Sequence, residues 1–346
     1  MRIGLLTGGG DCPGLNAVIR AVVHGAQQRF GDDVVGFRHG WRGVAEGERV
    51  ELTLAATEGL IASGGTVLGT ARFHPAEHEG GLGAVLGTVE RERIDALVVV
   101  GGDGTLRAAQ PVADAGVRII GVPKTIDNDV PGTERCIGFD TAVATATEAI
   151  ERVHTTAESH DRVMVVEVMG REAGWLAIFS AIASGANAVC IPEERCDVAR
   201  LAASIEKRHL GGASYSIVVV AEGCMLDRSG GGAADAGRAA GAWSGEIVAG
   251  SAGGQISEEL AARTGFETRV TVLGHIQRGG PPSAADRMLA TRLGMAAADA
   301  AHESEPAVLM SLVADEVRAR PLALVSEGPR QVPESLLEIA RRLTAL

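Results

Sequence analysis

Thr125-Ile126-Asp127-Asn128-Asp129 sets a hydroxyl, an amide and two carboxylates side by side. An aspartate next to a hydroxylated substrate can take its proton, which a phosphoryl acceptor needs as it attacks. Extended backbone would put Thr125, Asp127 and Asp129 on one side of the chain; an Asx-type turn with solvated acids is the plainer alternative. Gly101-Gly102-Asp103-Gly104-Thr105 places one carboxylate among glycines. Such a residue can hold Mg2+ while its neighbours approach nucleotide phosphates, because Mg2+ favours one or two carboxylates plus phosphate oxygens. Asp103 as the cap of the next helix is the simpler role. Gly8-Gly9-Gly10-Asp11-Cys12-Pro13-Gly14 opens a helix near Leu15. Bare backbone N–H groups and a helix N-terminus favour an anion there. The loop matches neither G-x-x-x-x-G-K-S/T nor G-x-G-x-x-G, so a tight structural turn stays open as well.

Five arginines stand at informative places: Arg72, Arg162, Arg171, Arg269 and Arg278. Each alone is an ordinary surface residue; as a group flanking strand ends they match phosphate oxygens, which guanidinium forks grip in pairs. His275 suits a sugar hydroxyl equally well as a structural contact. Trp41, Trp175 and Trp243 have no stacking spacing and read as core or surface anchors. Glu148, Glu151 and Glu158 read as solvated helix faces.

These residues need elements to hold them. Apolar, β-rich runs recur at Ile3–Thr7, Val34–Phe37, Ala96–Val100, Arg118–Val122, Val163–Val168, Ser216–Ala221 and Arg269–Leu273. Alanine-rich segments of helical period, such as Leu15–Gln28 and Thr141–His154, lie between several of them. Continuous apolar strands alternating with helices predict an α/β protein with parallel sheets covered on both faces. Six of the runs lead into glycine, charged or hydroxyl residues, and parallel sheets bind ligands outside the carboxyl ends of their strands, so one composite site is expected. Residues 1–138 read as one unit and 139–222 begin a second; 255–346 show no obvious strand series. Between Ser229 and Ala242, 11 of 14 residues are Gly or Ala, the composition of a surface insertion.

Composition narrows the classes. The net charge of −12 argues against general binding of nucleic acid or membrane surfaces, which need a basic field. Glycine supplies 47 residues without a three-residue period, and aromatics only 3% against 46% apolar residues, which excludes collagen-like and disordered chains. Helices packed on sheets can use Ala, Val, Ile and Leu alone, so few rings are needed. No leader or spanning segment stands out, which predicts a soluble cytoplasmic protein. The five cysteines form no C-x-x-C pair, so reduced thiols are expected rather than a zinc site or disulfide framework.

Taken in order, Gly8–Asn16, Gly64–Arg72, Gly101–Thr105, Pro123–Asp129, Arg162–Gly174, Ala221–Gly223 and Val270–Arg287 resemble the 6-phosphofructokinase family across nearly the whole chain. Their spacing is similar to that of bacterial, especially actinobacterial, members. The resemblance implies two Rossmann-like three-layer lobes with mainly parallel sheets and the active site in the cleft between them. Residues 1–138 plus roughly 277–327 would bind nucleotide; 139–276 plus roughly 328–346 would bind sugar phosphate, with the Gly/Ala-rich insertion at 226–254. It implies transfer of the ATP γ-phosphoryl to the 1-hydroxyl of fructose 6-phosphate, a glycolytic step. Gly10, Arg72, Phe73, Gly102, Asp103, Gly104 and Thr105 would bind the nucleotide, with Asp103 on Mg2+. Asp127 would be the base, and Thr125, Met169, Gly170 and Glu222 would line the sugar. Arg162, Arg269, His275 and Arg278 would hold the 6-phosphate, and Arg171 would reach the transferring group. Shared active sites in a homotetramer of dimers, or a homodimer, are implied.

Two features depart from the family pattern. ATP users usually carry Gly at both donor-selecting positions and pyrophosphate users Asp then Lys, whereas this chain has Gly104 and Lys124. Glycine leaves room for an α-phosphate that Asp would crowd and repel, which favours ATP. Basic positions of the bacterial effector pocket read His24, Gly211, Ala213 and Tyr215, and an acidic one reads Asn187, which implies weak control by ADP or phosphoenolpyruvate. The alternatives are a pyrophosphate-dependent enzyme, another kinase sharing Gly-Gly-Asp-Gly-Thr (NAD or lipid kinases), and a non-catalytic phosphate-ligand sensor. The presence of both Asp103 and Asp127 speaks against the last.

Overall fold

The structure, a computed structural model, describes residues 1–227, 250–303 and 306–344. Trp243 and most of the Gly/Ala-rich insertion expected at 226–254 lie outside the described residues. The strands are β1 (Arg2–Thr7), β2 (Asp33–Phe37), β3 (Arg49–Leu52), β4 (Ala96–Gly101), β5 (Ile119–Pro123), β6 (Val163–Val168), β7 (Ala188–Cys190), β8 (Ser216–Ala221), β9 (Thr268–Val272), β10 (Ala307–Val313) and β11 (Glu316–Pro321). The chain divides into two compact units, Met1–Ala142 with Arg278–Arg330, and Val143–Gln277 with Gln331–Leu346.

The first unit carries a seven-stranded sheet in the order β11-β10-β5-β4-β1-β2-β3. Its strands pair in parallel except at the two edges, where β2–β3 and β10–β11 are antiparallel. β4 and β5 are buried along their whole length, as continuous apolar runs covered on both faces must be. Helix Leu15–Gly25 lies so close to helix Ala284–Ala300 that a Cβ on Gly294 would stand 2.6 Å from the Ala21 methyl. Glycine and alanine set this spacing, which is how a core with few rings stays dense.

After residue 255 the expected run at Arg269–Leu273 is present as β9, and two strands the sequence did not make obvious, β10 and β11, extend the first sheet. Residues Ala314 and Asp315 join them with φ of 50° and 61°, the two left-handed residues of a tight hairpin. The usual Asn-Gly or Asp-Gly signature is missing, and β11 alternates exposed charged residues, so neither the turn nor the edge strand stands out in the sequence.

The second unit holds a four-stranded, all-parallel sheet, β7-β8-β6-β9. β6 and β8 are buried from end to end. Helices Val198–Leu210 and Ala252–Thr264 supply one covering layer, through Leu201, Ile205, Ile256 and Leu260 against Val165, Val218 and Val220. Among the described residues, no helix is long and apolar enough to cross a membrane.

Candidate active site

In the first sheet β1, β4 and β5 are neighbours, so the loops after their carboxyl ends meet. The Gly8 N–H donates to the Val100 carbonyl at 2.9 Å, and the Lys124 N–H to the Gly101 carbonyl at 2.9 Å. Thr105 sits between the first two loops: a Cβ on Gly8 would come 2.5 Å from its Cγ2, and one on Gly101 would overlap its side chain too. Both glycines are therefore required by packing. From behind, the Trp41 indole N–H donates to the Thr105 carbonyl at 3.1 Å, and the Thr70 hydroxyl donates to the Gly9 carbonyl at 2.6 Å. Trp41 is 2% exposed and is a core anchor that holds a functional loop.

Gly104 is different. A Cβ there meets nothing within 4 Å, so its face opens onto free space. Asp103 is the first residue of helix Asp103–Arg107, with Gly102 rather than Asp103 as the cap, and it pairs with Arg107 one turn later. Lys124 is buried and its ammonium donates to the Gly10 carbonyl, drawing the β5 loop onto the β1 loop. Arg72 is exposed, whereas the Phe73 ring stacks on His78 with centroids 4.2 Å apart.

The expected extended run at Thr125–Asp129 is instead a turn, which corrects the placement of its side chains on one side by alternation. The Thr125 hydroxyl accepts the Asp127 N–H at 3.1 Å, a local bond that bends the chain. Asn128 follows with φ of 54°, and its side-chain oxygen accepts the Cys136 N–H at 2.9 Å. Asp127 and Asp129 are 3% and 7% exposed, so the solvated-acid alternative fails as well. The Arg330 guanidinium donates to the Asn128 carbonyl at 2.9 Å and supports the turn from a distant part of the sequence. Arg278 lies in this unit, with its guanidinium against the Cα of Gly10, so a Cβ at that glycine would collide with it.

In the second unit, the β8, β6 and β9 ends are neighbours. Gly170 (φ 140°) and Arg171 (φ 51°) turn the chain sharply after Met169. Only a glycine readily takes the first of these conformations, and an arginine in the second is uncommon and held by its surroundings. The Arg171 N–H donates to Glu222 Oε1 at 3.2 Å, and Gly223 lies so close that a Cβ would overlap the Arg171 carbonyl. The buried Gln277 accepts the Met169 N–H at 3.3 Å and donates to the Gly274 carbonyl at 2.9 Å, which ties the loop bearing His275 to the β6 loop. Glu193 accepts the Gly174 N–H at 2.9 Å and so fixes the far side of the Arg171 turn. Gln277 and Glu193 escaped notice in the sequence; Gln277 lay inside a glycine-rich segment that marked it only by position.

Two arginines do not join this cluster. Arg162 precedes the first residue of β6 and Arg269 is the second of β9, so both lie at the amino ends of their strands. Six strand residues, about 20 Å of rise, separate Arg162 from Met169. Both therefore flank strand ends, as expected, but at the ends opposite the loops that carry Met169, Arg171 and His275. Arg162 pairs with Glu267 at 2.8 Å, and Arg269 binds the same carboxylate. The Arg162 hydrogen bond holds Glu267 below the usual carboxylate range.

The positions matched to an effector pocket are engaged within the fold. The Asn187 side-chain oxygen accepts the Ile217 N–H at 2.8 Å, the Tyr215 hydroxyl lies 3.5 Å from His154 Nδ1, and Gly211 closes helix Val198–Leu210. Burial and then the neighbouring Arg20 lower the His24 pKa.

Residues 2–301 match the family model "Phosphofructokinase". The chain is 47% identical over 340 residues to "ATP-dependent 6-phosphofructokinase 3" of Streptomyces coelicolor, covering 97% of each chain. It is 46% identical over 352 residues to "Pyrophosphate--fructose 6-phosphate 1-phosphotransferase" of the same organism, covering 98% of each. Among solved structures it superposes on phosphofructokinase from Saccharomyces cerevisiae with a TM-score of 0.82 at 32% identity, covering 94% of this chain but 45% of the yeast chain. With a match to the family model over residues 2–301 and 47% identity to a named member across 97% of each chain, on mainly parallel sheets with loops gathered at strand ends within each unit, the chain belongs to the phosphofructokinase family.

Proposed function

We propose that the protein transfers the γ-phosphoryl group of ATP to the 1-hydroxyl of fructose 6-phosphate, giving fructose 1,6-bisphosphate. The observation that carries this reading is the open space at Gly104 beside Asp103, in loops whose glycines pack against their own supports. That space suits a nucleoside triphosphate, whose α-phosphate a side chain would obstruct. Gly10, Arg72, Gly102 and Thr105 bind nucleotide, with Phe73 at the rim.

Mg2+ fits this donor set. Among the described residues no trio of His, Cys, Asp and Glu could cage a metal, whereas Asp103 offers the single carboxylate that a phosphate-borne Mg2+ needs. Bound there, Mg2+ would neutralise charge on the β- and γ-phosphates. Asp127 accepts the proton of the sugar 1-hydroxyl as that oxygen attacks, and Thr125 shapes the turn that presents it. Arg171 stabilises the transferring group, where a well-placed cation contributes several kcal/mol in the transition state, on the order of 10³ in rate or more. Met169, Gly170 and Glu222 bind the sugar, and His275 and Arg278 hold its 6-phosphate. Initial rates with fructose 6-phosphate and either ATP or pyrophosphate test the donor. Turnover with ATP and none above background with pyrophosphate is expected; the reverse overturns the ATP reading.

The position of Arg162 and Arg269 at the opposite strand ends favours their serving the 6-phosphate site of a second copy. A homodimer or homotetramer with shared sites follows. Arg162→Ala and Asp127→Ser variants, each nearly inactive at low substrate, should then complement when coexpressed. Two-fold pairing of equal amounts restores roughly a quarter of parental activity, because half of the pairs are mixed and each mixed pair has one intact site of two. No gain over the separate variants would refute the sharing.

A further inference from the structure

Two cysteines six residues apart, Cys190 and Cys196, meet a third, Cys224, in the second unit. The Cys190 and Cys196 sulfurs are 3.1 Å apart, and the Cys224 thiol lies within hydrogen-bond reach of both. Strand pairing creates the cluster: β7 runs beside β8 with Cys190 opposite Val220, and the Cys196 N–H donates to the Met225 carbonyl at 2.8 Å. All three are free thiols, at 4%, 8% and 6% exposure. The 3.1 Å approach of two free thiols is the geometry that favours chemistry between the sulfurs themselves.

We propose that Cys190 and Cys196 form an oxidative modification site, a dithiol that a small peroxide converts to a disulfide, and that this bond weakens the sugar-phosphate site next to it. The Cys196 thiolate attacks one peroxide oxygen; a sulfur–oxygen bond forms, the O–O bond breaks, and the departing hydroxide takes a proton to become water. Cys190 sulfur then attacks the resulting sulfenic acid, displacing its oxygen as a second water. The two sulfurs lose two electrons and the peroxide gains them. Cys196 is the better first nucleophile, because thiol hydrogen bonds from Cys190 and Cys224 hold its pKa well below the ordinary range, against burial and the Asp197 and Glu259 carboxylates. Burial restricts the oxidant to a small one.

The bracketed loop explains the consequence. Between the cysteines lie Pro192, whose Cγ would stand 3.3 Å from a Cβ on Gly223, and Glu193, which caps Gly174. One loop therefore braces both sides of the Arg171 turn, through Gly223 next to Glu222 and through Gly174. Bond formation draws the sulfurs from 3.1 Å to about 2.0 Å and shifts the base of that loop. Misplacement by about 1 Å at a catalytic site costs up to 10²-fold in rate. The effect on activity rests on the function proposed above; the cross-link itself does not.

The intact protein, treated with hydrogen peroxide, is assayed three ways. Denaturing thiol titration should show loss of two of the five thiols, and peptide mapping a Cys190–Cys196 link. The kcat/KM for fructose 6-phosphate should fall about tenfold and return with dithiothreitol, a loss within the range of small misplacements. Cys196→Ser, which removes the attacking thiolate, should form no link and keep its activity under peroxide. Five surviving thiols, a link involving other cysteines, or irreversible oxidation of one sulfur overturns the site, whatever the enzyme assay shows. A link with unchanged kcat/KM overturns the coupling to the sugar site.

Discussion

Replacing Asp127 by serine lowers kcat by about 10²–10⁴-fold, the usual contribution of a positioned base, while KM for fructose 6-phosphate stays near the parental value. The split is expected because the turn does not depend on the carboxylate. Its bend comes from the Asp127 N–H bound to the Thr125 hydroxyl, from Asn128 in a left-handed conformation with its side chain on the Cys136 N–H, and from Arg330 on the Asn128 carbonyl. Serine retains that N–H and removes only the proton acceptor. The shape presented to the sugar therefore survives and the chemical step does not. Steady-state kinetics over a range of fructose 6-phosphate at saturating donor separates the two parameters. A kcat within a few-fold of the parent would remove Asp127 from the role of base, and a large rise in KM with little change in kcat would make it a binding group instead. Thermal unfolding of the variant near the parental midpoint checks that the loss is chemical.

The sequence was most readable where a residue's surroundings follow from its own segment. β4, β5 and β8 are nearly continuous apolar runs, and β1 and β6 are mostly so, as a strand buried on both faces tends to be. Their glycine-rich ends identified the loops that meet in each sheet. The side-chain geometry within a loop was less accessible. Thr125–Asp129 alternates like a strand, yet the Thr125 hydroxyl captures a backbone donor two residues on and bends it. Direction was hidden as well: Arg162 and Arg171 both flank β6, one at each end, and residue type alone does not say which end faces the ligand. The thiol cluster depends on long-range pairing, since Cys190, Cys196 and Cys224 form no recognised motif and are brought together by the β7–β8 register and by the Cys196 N–H bound to the Met225 carbonyl. Supports such as Gln277 and Glu193 are the same kind of case, being polar side chains whose partners are backbone groups far along the chain.

Donor choice gives the second large effect. Gly104→Asp is expected to reduce kcat/KM for ATP by about 10²-fold or more, because a like charge set against a bound anion costs several kcal/mol. The fold should accept the change. A Cβ at Gly104 meets nothing within 4 Å, and an aspartate in the first turn of helix Asp103–Arg107 complements the helix dipole. Any loss of activity is thus assigned to the ligand's side of that open space. Lys124 sharpens the expectation. It is already present and already tied to the Gly10 carbonyl, so it adds positive charge at the base of the β1 and β5 loops without entering the space above Gly104. Pyrophosphate has no α-phosphate carrying a nucleoside, so the added carboxylate does not exclude it, and the variant's ratio of pyrophosphate to ATP activity should rise. Relatives with either donor in their names match this chain equally well, at 47% and 46% identity, as expected if a few side chains at one loop decide the donor. Unchanged ATP kinetics in a folded Gly104→Asp enzyme would refute the steric and electrostatic argument and move donor selection away from this position.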